Sequence, residues 1–238
     1  MKNILKIISI LVVAALFLNT SCKVGEFNPG AQGDARIITL VTPNDTLFGL
    51  GLYAYTTGQF YSVSAYYTGA TSGVYNLEPF NNSTYDYYYE TPIEEMTGEL
   101  PDAGEYIFDV EFKEGEFKTV SDYLTDEFVL PPFITLCEFN TDIDRIAISW
   151  ANIVDEGLLK FNVYNQQREL LYASSSIDKS AIIFTFGYNS NTWEIEESPE
   201  VGEELILEIV FYTFELINGG ALNTQAVGII EKTITWGG

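Results

Sequence analysis

Histidine is absent from this chain, and cysteine and methionine occur twice each in 238 residues. Without histidine there is no Ser-His or Cys-His nucleophile pair, no imidazole general base and none of the usual zinc sites. Basic residues are scarce as well, 11 against 34 acids, for a formal charge of −23. Such a surface repels phosphate backbones and bare anionic headgroups, so nucleic acid is not an expected partner. Also missing is any window with a helical repeat of useful length, and any apolar run of the roughly 20 residues that a bilayer span needs.

What is present begins with Lys2 and Lys6, an apolar run from Ile7 to Leu18, and the small polar pair Thr20-Ser21 before Cys22. This is the three-part layout of a secretory signal, expected to cover residues 1–21 and to be removed. Its loss would leave nine basic residues facing all 34 acids, a formal charge of −25. The small residue before Cys22 resembles the lipobox of bacterial lipoproteins, with Asn19 where that family usually carries leucine. The resemblance implies that Cys22 is acylated and holds the protein on a membrane, the outer membrane of the envelope. Cys137 is then the only free thiol and is read as a small buried hydrophobe. Residues 22–35, punctuated by Gly25, Pro29, Gly30 and Gly33, read as the lipidated cysteine and a flexible tether.

Beyond the tether the pattern is all-β. Alternating runs such as Arg36 to Thr42, Leu50 to Tyr55, Gly104 to Phe112 and Arg145 to Trp150 are separated by turn-formers, among them Pro43-Asn44-Asp45 and Glu114-Gly115. The acidic stretch before Pro131-Pro132 marks a junction, because consecutive prolines cannot donate to a ladder. Two tandem antiparallel β-sandwiches are therefore expected, over residues 36–127 and 128–238, folding as separate bodies.

In the second, Trp150 closes the run Ile146-Ala147-Ile148-Ser149-Trp150, and Phe161 and Val163 alternate in the next. These residues, after a proline, resemble a fibronectin type III domain, which implies a seven-strand sandwich. The run Leu205 to Ile217 departs from that family in lacking a clear tyrosine corner. The first half is similar, more loosely, to immunoglobulin-like modules of Bacteroidota surface lipoproteins.

Groupings of residues that would specify a reaction are scarce. Glu94-Glu95, Glu196-Glu197 and Glu203-Glu204 are neighbours that a strand would point to opposite faces, whereas a glycosidase dyad converges. Asn140, Asp142 and Asp144 alternate like the start of a calcium loop, but Arg145 and Ala151 stand where an EF-hand wants Gly and Glu. A turn is the reading there, and neither metal nor cofactor is expected.

The one unusual feature is the tyrosine density of the first half. Alternation puts Tyr85, Tyr87 and Tyr89 on one face and Tyr88 on the other, which suits a sheet core, a protein interface or a sugar-stacking platform. Asp45-Thr46-Leu47 resembles the O-glycosylation motif of Bacteroidota, making Thr46 a candidate acceptor, and Asn81-Asn82-Ser83-Thr84 holds formal N-glycosylation sequons. Three function classes follow. The first is a non-catalytic envelope lipoprotein that binds or scaffolds a protein partner, in an outer-membrane complex, with Tyr85, Tyr87, Tyr88 and Tyr89 as candidate binding surface. The alternative is a carbohydrate-binding surface lipoprotein of a glycan-uptake system. The third, a carboxylate hydrolase, rests only on abundant acids.

Overall fold

Alternation of apolar and polar side chains, with β-branched and aromatic residues at the inward positions, builds sixteen strands among the described residues. The first half gives β1 (Ala31–Val41), β2 (Thr46–Thr56), β3 (Phe60–Tyr67), β4 (Val74–Asn76), β5 (Glu78–Pro79), β6 (Asp86–Glu90), β7 (Gly104–Phe112) and β8 (Phe117–Leu124). The second gives β9 (Ile134–Asn140), β10 (Arg145–Trp150), β11 (Leu158–Tyr164), β12 (Leu170–Ala173), β13 (Ile177–Asp178), β14 (Ile183–Phe186), β15 (Glu204–Leu216) and β16 (Leu222–Thr235). The structure, a computed structural model, describes residues 28–69, 73–151, 153–189, 193–195, 197–216 and 222–238. The signal segment and Cys22 lie outside these residues.

Nine strands form one long sheet in the order β12-β11-β15-β16-β1-β2-β6-β5, with β13 paired to β11. Two shorter sheets, β4-β3-β7-β8 and β14-β10-β9, complete the fold. Within each half the strand order follows the immunoglobulin-type scheme of two facing sheets linked by crossovers. In the first half, β1-β2-β6-β5 faces β4-β3-β7-β8; in the second, β12-β11-β15-β16 faces β14-β10-β9.

The two halves are joined along a sheet edge. β16, the last strand, lies parallel to β1, the first, with Ile37 opposite Ala226 and Val41 opposite Ile230. This pairing joins a sheet of each half edge to edge, and Ala31–Gly238 forms one compact unit with a single buried core cluster. The sequence signals for a junction were local, whereas β1 and β16 lie some 190 residues apart. The connection after β8 also contributes to the join. At Gly228 a Cβ would lie 2.6 Å from the Pro131 nitrogen and 2.8 Å from the Leu130 carbonyl carbon, so the segment from Val129 to Pro131 passes directly over β16.

The tether is shorter than expected, because β1 starts at Ala31. Gln32-Gly33-Asp34 is loop-like in composition, yet Gly33 lies against the Phe108 ring and Asp34 is buried. The absence of a side chain at Gly33 is what lets the facing sheet approach.

Ile37 and Ala226 belong to the same core as Phe60 and Phe108 of the first half and Ile148 and Phe161 of the second. Both shorter sheets thus pack on one face of the long sheet, and its other face carries neither. Aromatic rings fill both interiors. Phe60 meets Tyr87 edge-on at 5.3 Å, and Phe161 stacks on Phe184 at 5.0 Å and contacts Trp150 at 5.5 Å. Each such ring contributes about 1.5–3 kcal/mol through burial.

Candidate binding surface

The sheet register decides where each sequence-predicted tyrosine goes. Tyr87 and Tyr89 oppose the inward residues Ala54 and Leu52, and Tyr88 opposes Tyr53 on the face turned away from the shorter sheets. Tyr87 is accordingly 8% exposed, and Tyr89 packs half-buried against Tyr75 at 4.8 Å. Tyr85, 44% exposed, lies just before β6 and accepts a hydrogen bond from Gln59 Nε2 at 3.2 Å. The four tyrosines therefore do not form one exposed, coplanar platform. Of the four, only Tyr88 lies on the outer face, where it is joined by residues that composition alone did not single out.

On that face β1 places Arg36 beside two β2 tyrosines. Its guanidinium lies 3.5 Å from the Tyr53 ring centroid and donates through Nη2 to Asp34 Oδ2 at 2.8 Å and to the Tyr55 hydroxyl at 2.9 Å. The stem needs space, which Gly51 supplies: a Cβ there would come within 2.9 Å of Arg36 Cγ. Tyr53 donates its hydroxyl to Glu90, and its ring is followed by Tyr55 at 6.4 Å and Tyr88 at 6.1 Å. Burial and the Glu90 charge push the Tyr53 hydroxyl far above the usual phenol range, so it stays a donor.

Farther along the same face, Glu208 of β15 accepts from Asn162 Nδ2 at 2.7 Å and from the Tyr164 hydroxyl at 3.1 Å. Burial raises the Glu208 carboxyl above its ordinary value, partly offset by those two donors. Tyr212, half-buried between the two groups of residues, has its hydroxyl pushed up to about 12 by burial and by Glu208. Alternation could have predicted Tyr53, Tyr55, Tyr164 and Tyr212 as a set only if the long sheet had been known, because they come from three strands in both halves.

At the strand ends where β1 enters the sheet, carboxylates gather at the seam of the halves. Asp34 is 1% exposed, and burial lifts its pKa to about 6 against the opposing pull of Arg36. Glu215 is raised to about 7, by partial burial first and then by Asp122, Asp34 and Glu127. Asp122 is raised too, by burial, although its Oδ2 accepts the Ala35 amide at 2.7 Å. Asn223 donates to the Gly33 carbonyl at 3.2 Å and accepts from Gln32. A cleft of about 440 Å³ opens among these groups. No three of the acid or thiol groups among the described residues are placed to hold a metal ion.

The remaining sequence candidates have simple positions. Thr46 is exposed at the start of β2. Asn140 Oδ1 accepts the amides of Asp142 and Ile143, so this stretch is the turn between β9 and β10. Cys137 is half-buried on β9, and burial pushes its thiol up to about 11, away from the reactive thiolate. Glu94 and Glu95 are exposed in a 3-10 turn, Ile93–Glu95. Glu196 lies outside the described residues.

No protein-family model and no curated protein matches the chain. Among solved structures it is similar to the BSP domain of a biofilm associated protein, at a TM-score of 0.26 and 11% identity over 87% of this chain and 29% of that one. It is similar to the FN1-FN3 domains of chicken CNTN1, at 0.28 and 9% over 87% of this chain and 65% of that one. Dimeric latent PorU from Porphyromonas gingivalis matches at 0.27 and 8% over 92% of this chain and 21% of that one. The chain thus spans less than two thirds of each of these structures. Superposition at this level is loose, and the immunoglobulin-like and fibronectin-like sandwich description rests on the chain's own strand order.

Proposed function

We propose that this chain is a lipid-anchored protein of a bacterial cell envelope, held at the outer membrane through Cys22, that acts as a non-catalytic protein-binding or scaffolding subunit. The observation that carries the reading is the face of the long sheet turned away from both shorter sheets. Half-buried Tyr53, Tyr55, Tyr88, Tyr164 and Tyr212 are spread across it, with Arg36 among them, on strands that cannot shift independently. Tyrosine and arginine are the side chains most enriched at interface hot spots, because they bury much area with preorganised donors. A glycan-stacking platform draws less support, since the clustered tyrosines of the sequence divide between the two faces of β6.

The test replaces Tyr88 and Tyr164 together by alanine, which leaves both cores intact. Hot-spot truncation costs about 1–4 kcal/mol, so affinity for a stoichiometric envelope partner recovered with the wild type should fall at least tenfold while the melting temperature is kept. Unchanged partner recovery, or wild-type retention on a polysaccharide column that the double variant loses, would overturn the protein-binding reading.

A further inference from the structure

Strand directions bring several loops to the end of the molecule where β1 begins. β16 is parallel to β1 and starts there, β15 ends there, and β11, antiparallel to β15, starts there. In the facing sheet, β10 runs into the loop before β11, so its end and the starts of β9 and β14 share this side. The loops at this end expose apolar side chains: Phe133 is 76% exposed, Val154 84% and Ile182 63%. Hydrogen bonds tie the segments that carry them to one another or to the adjoining strands. The Ala151 amide donates to Phe133 O at 2.9 Å, the Trp150 amide to Ile182 O at 3.3 Å, and Lys179 Nζ to Val154 O at 3.2 Å. Phe128 and Phe214 line a neighbouring cleft at the same end.

We propose that this strand end is a membrane-contact surface, in which Phe133, Val154 and Ile182 enter the headgroup region of the bilayer that holds the anchor. The inference rests on the lipoprotein reading of Cys22. The chain length between anchor and sheet selects the occupant. Only nine residues, 22–30, separate the start of β1 from the acylated end in that reading, a length that reaches at most about 32 Å however it is arranged, so the bilayer surface lies within reach of the end at which β1 starts. Three neighbouring apolar side chains supply what a short acylated tether does not, a fixed orientation of the long sheet relative to the membrane. The acids bordering the patch, Asp155, Glu156 and Glu127, exclude anionic lipid and select a zwitterionic surface. Glu156 is partly neutralised by Lys179 at 2.5 Å.

The test uses the full acylated chain with Cys137→Ser, carrying either Ile182→Cys or Val201→Cys. Val201 is 81% exposed and lies at the opposite end, beside Gly237. Each cysteine is labelled with a polarity-sensitive fluorophore, and the protein is placed on phosphatidylcholine and phosphatidylethanolamine vesicles containing spin-labelled lipid. Quenching at position 182 should exceed that at 201 at least fivefold. Equal quenching on vesicles that carry the protein would overturn the proposal, as would shielding at 182 that persists in detergent and rises with protein concentration, the sign of self-association. Absence of acyl mass on Cys22 together with failure to float would instead defeat the lipoprotein reading, and the proposal with it.

Discussion

The two sandwiches use the same strand scheme and bury different things. The second is closed by rings and aliphatic chains, Trp150, Phe161, Phe186 and Trp236 among them, and its ion pairs, Arg168 with Glu231 and Lys179 with Glu156, lie at the surface. The first has a comparable aromatic interior in Phe60, Tyr106, Phe108 and Phe112, but its first strand carries Asp34 and Arg36, both almost fully buried. The difference falls where the halves join. β1 pairs with β16 only from Ile37 onward, and before that point side chains replace the ladder: Asn223 donates to Gly33 O and the Thr224 amide to Asp34 Oδ2. Apolar alternation thus builds each sandwich, and polar groups of specific reach set the register between them. Buried polar groups are costly, so their retention at one seam suits a role in specifying alignment more than in adding stability.

The largest expected effect tests whether the comparison concerns one body or two. Phe161→Ala in the second core should cost about 3–5 kcal/mol, the usual range for a fully buried ring. Because the long sheet is shared, tryptophan fluorescence, which reports only the second half, and hydrogen exchange of β2 and β6 in the first should show the same lowered midpoint. A first half that kept its wild-type midpoint would separate the two bodies again.

A smaller effect sharpens the polar seam. The Asp34 carboxyl is raised from 3.8 to about 6 in the folded state, so folding favours its protonated form. Its contribution to stability is fully present below about pH 4 and is lost as pH rises through about 6, by roughly 3 kcal/mol in all. Glu215, raised to about 7, acts in the same direction. Denaturant titrations at pH 4.5 and pH 8 should therefore show a shallower fall in stability for Asp34→Asn than for the wild type. Identical slopes for the two proteins would mean that Asp34 is not held in the environment described.

The smallest effect is expected at Tyr85, exposed and placed just outside β6. Tyr85→Ala should change stability by less than about 0.5 kcal/mol, as surface substitutions usually do. A loss comparable to that of a core ring, measured by thermal melt, would show that the tyrosine-rich strand is assigned to the wrong face.

Much of the strand content was legible. Gly104–Phe112 and Arg145–Trp150 carry the bounds that alternation and turn residues suggest, and β6 divides its tyrosines between faces as a period of two requires. The candidate surface was half legible. Tyr88 was within view as one of four, whereas Arg36 looked like an ordinary strand start and Asp34 like part of a tether.

By itself the sequence determined the all-β class, the turns and the inward face of each strand, because these depend on neighbours two residues apart. Tertiary structure alone decided that β1 and β16 run side by side, that both shorter sheets cover the same face, and that Arg36 stacks on Tyr53 with Asp34 beneath it. Those outcomes depend on residues some 190 positions apart meeting across a sheet, and on burial that makes a charged pair tolerable only where both partners and their donors arrive together.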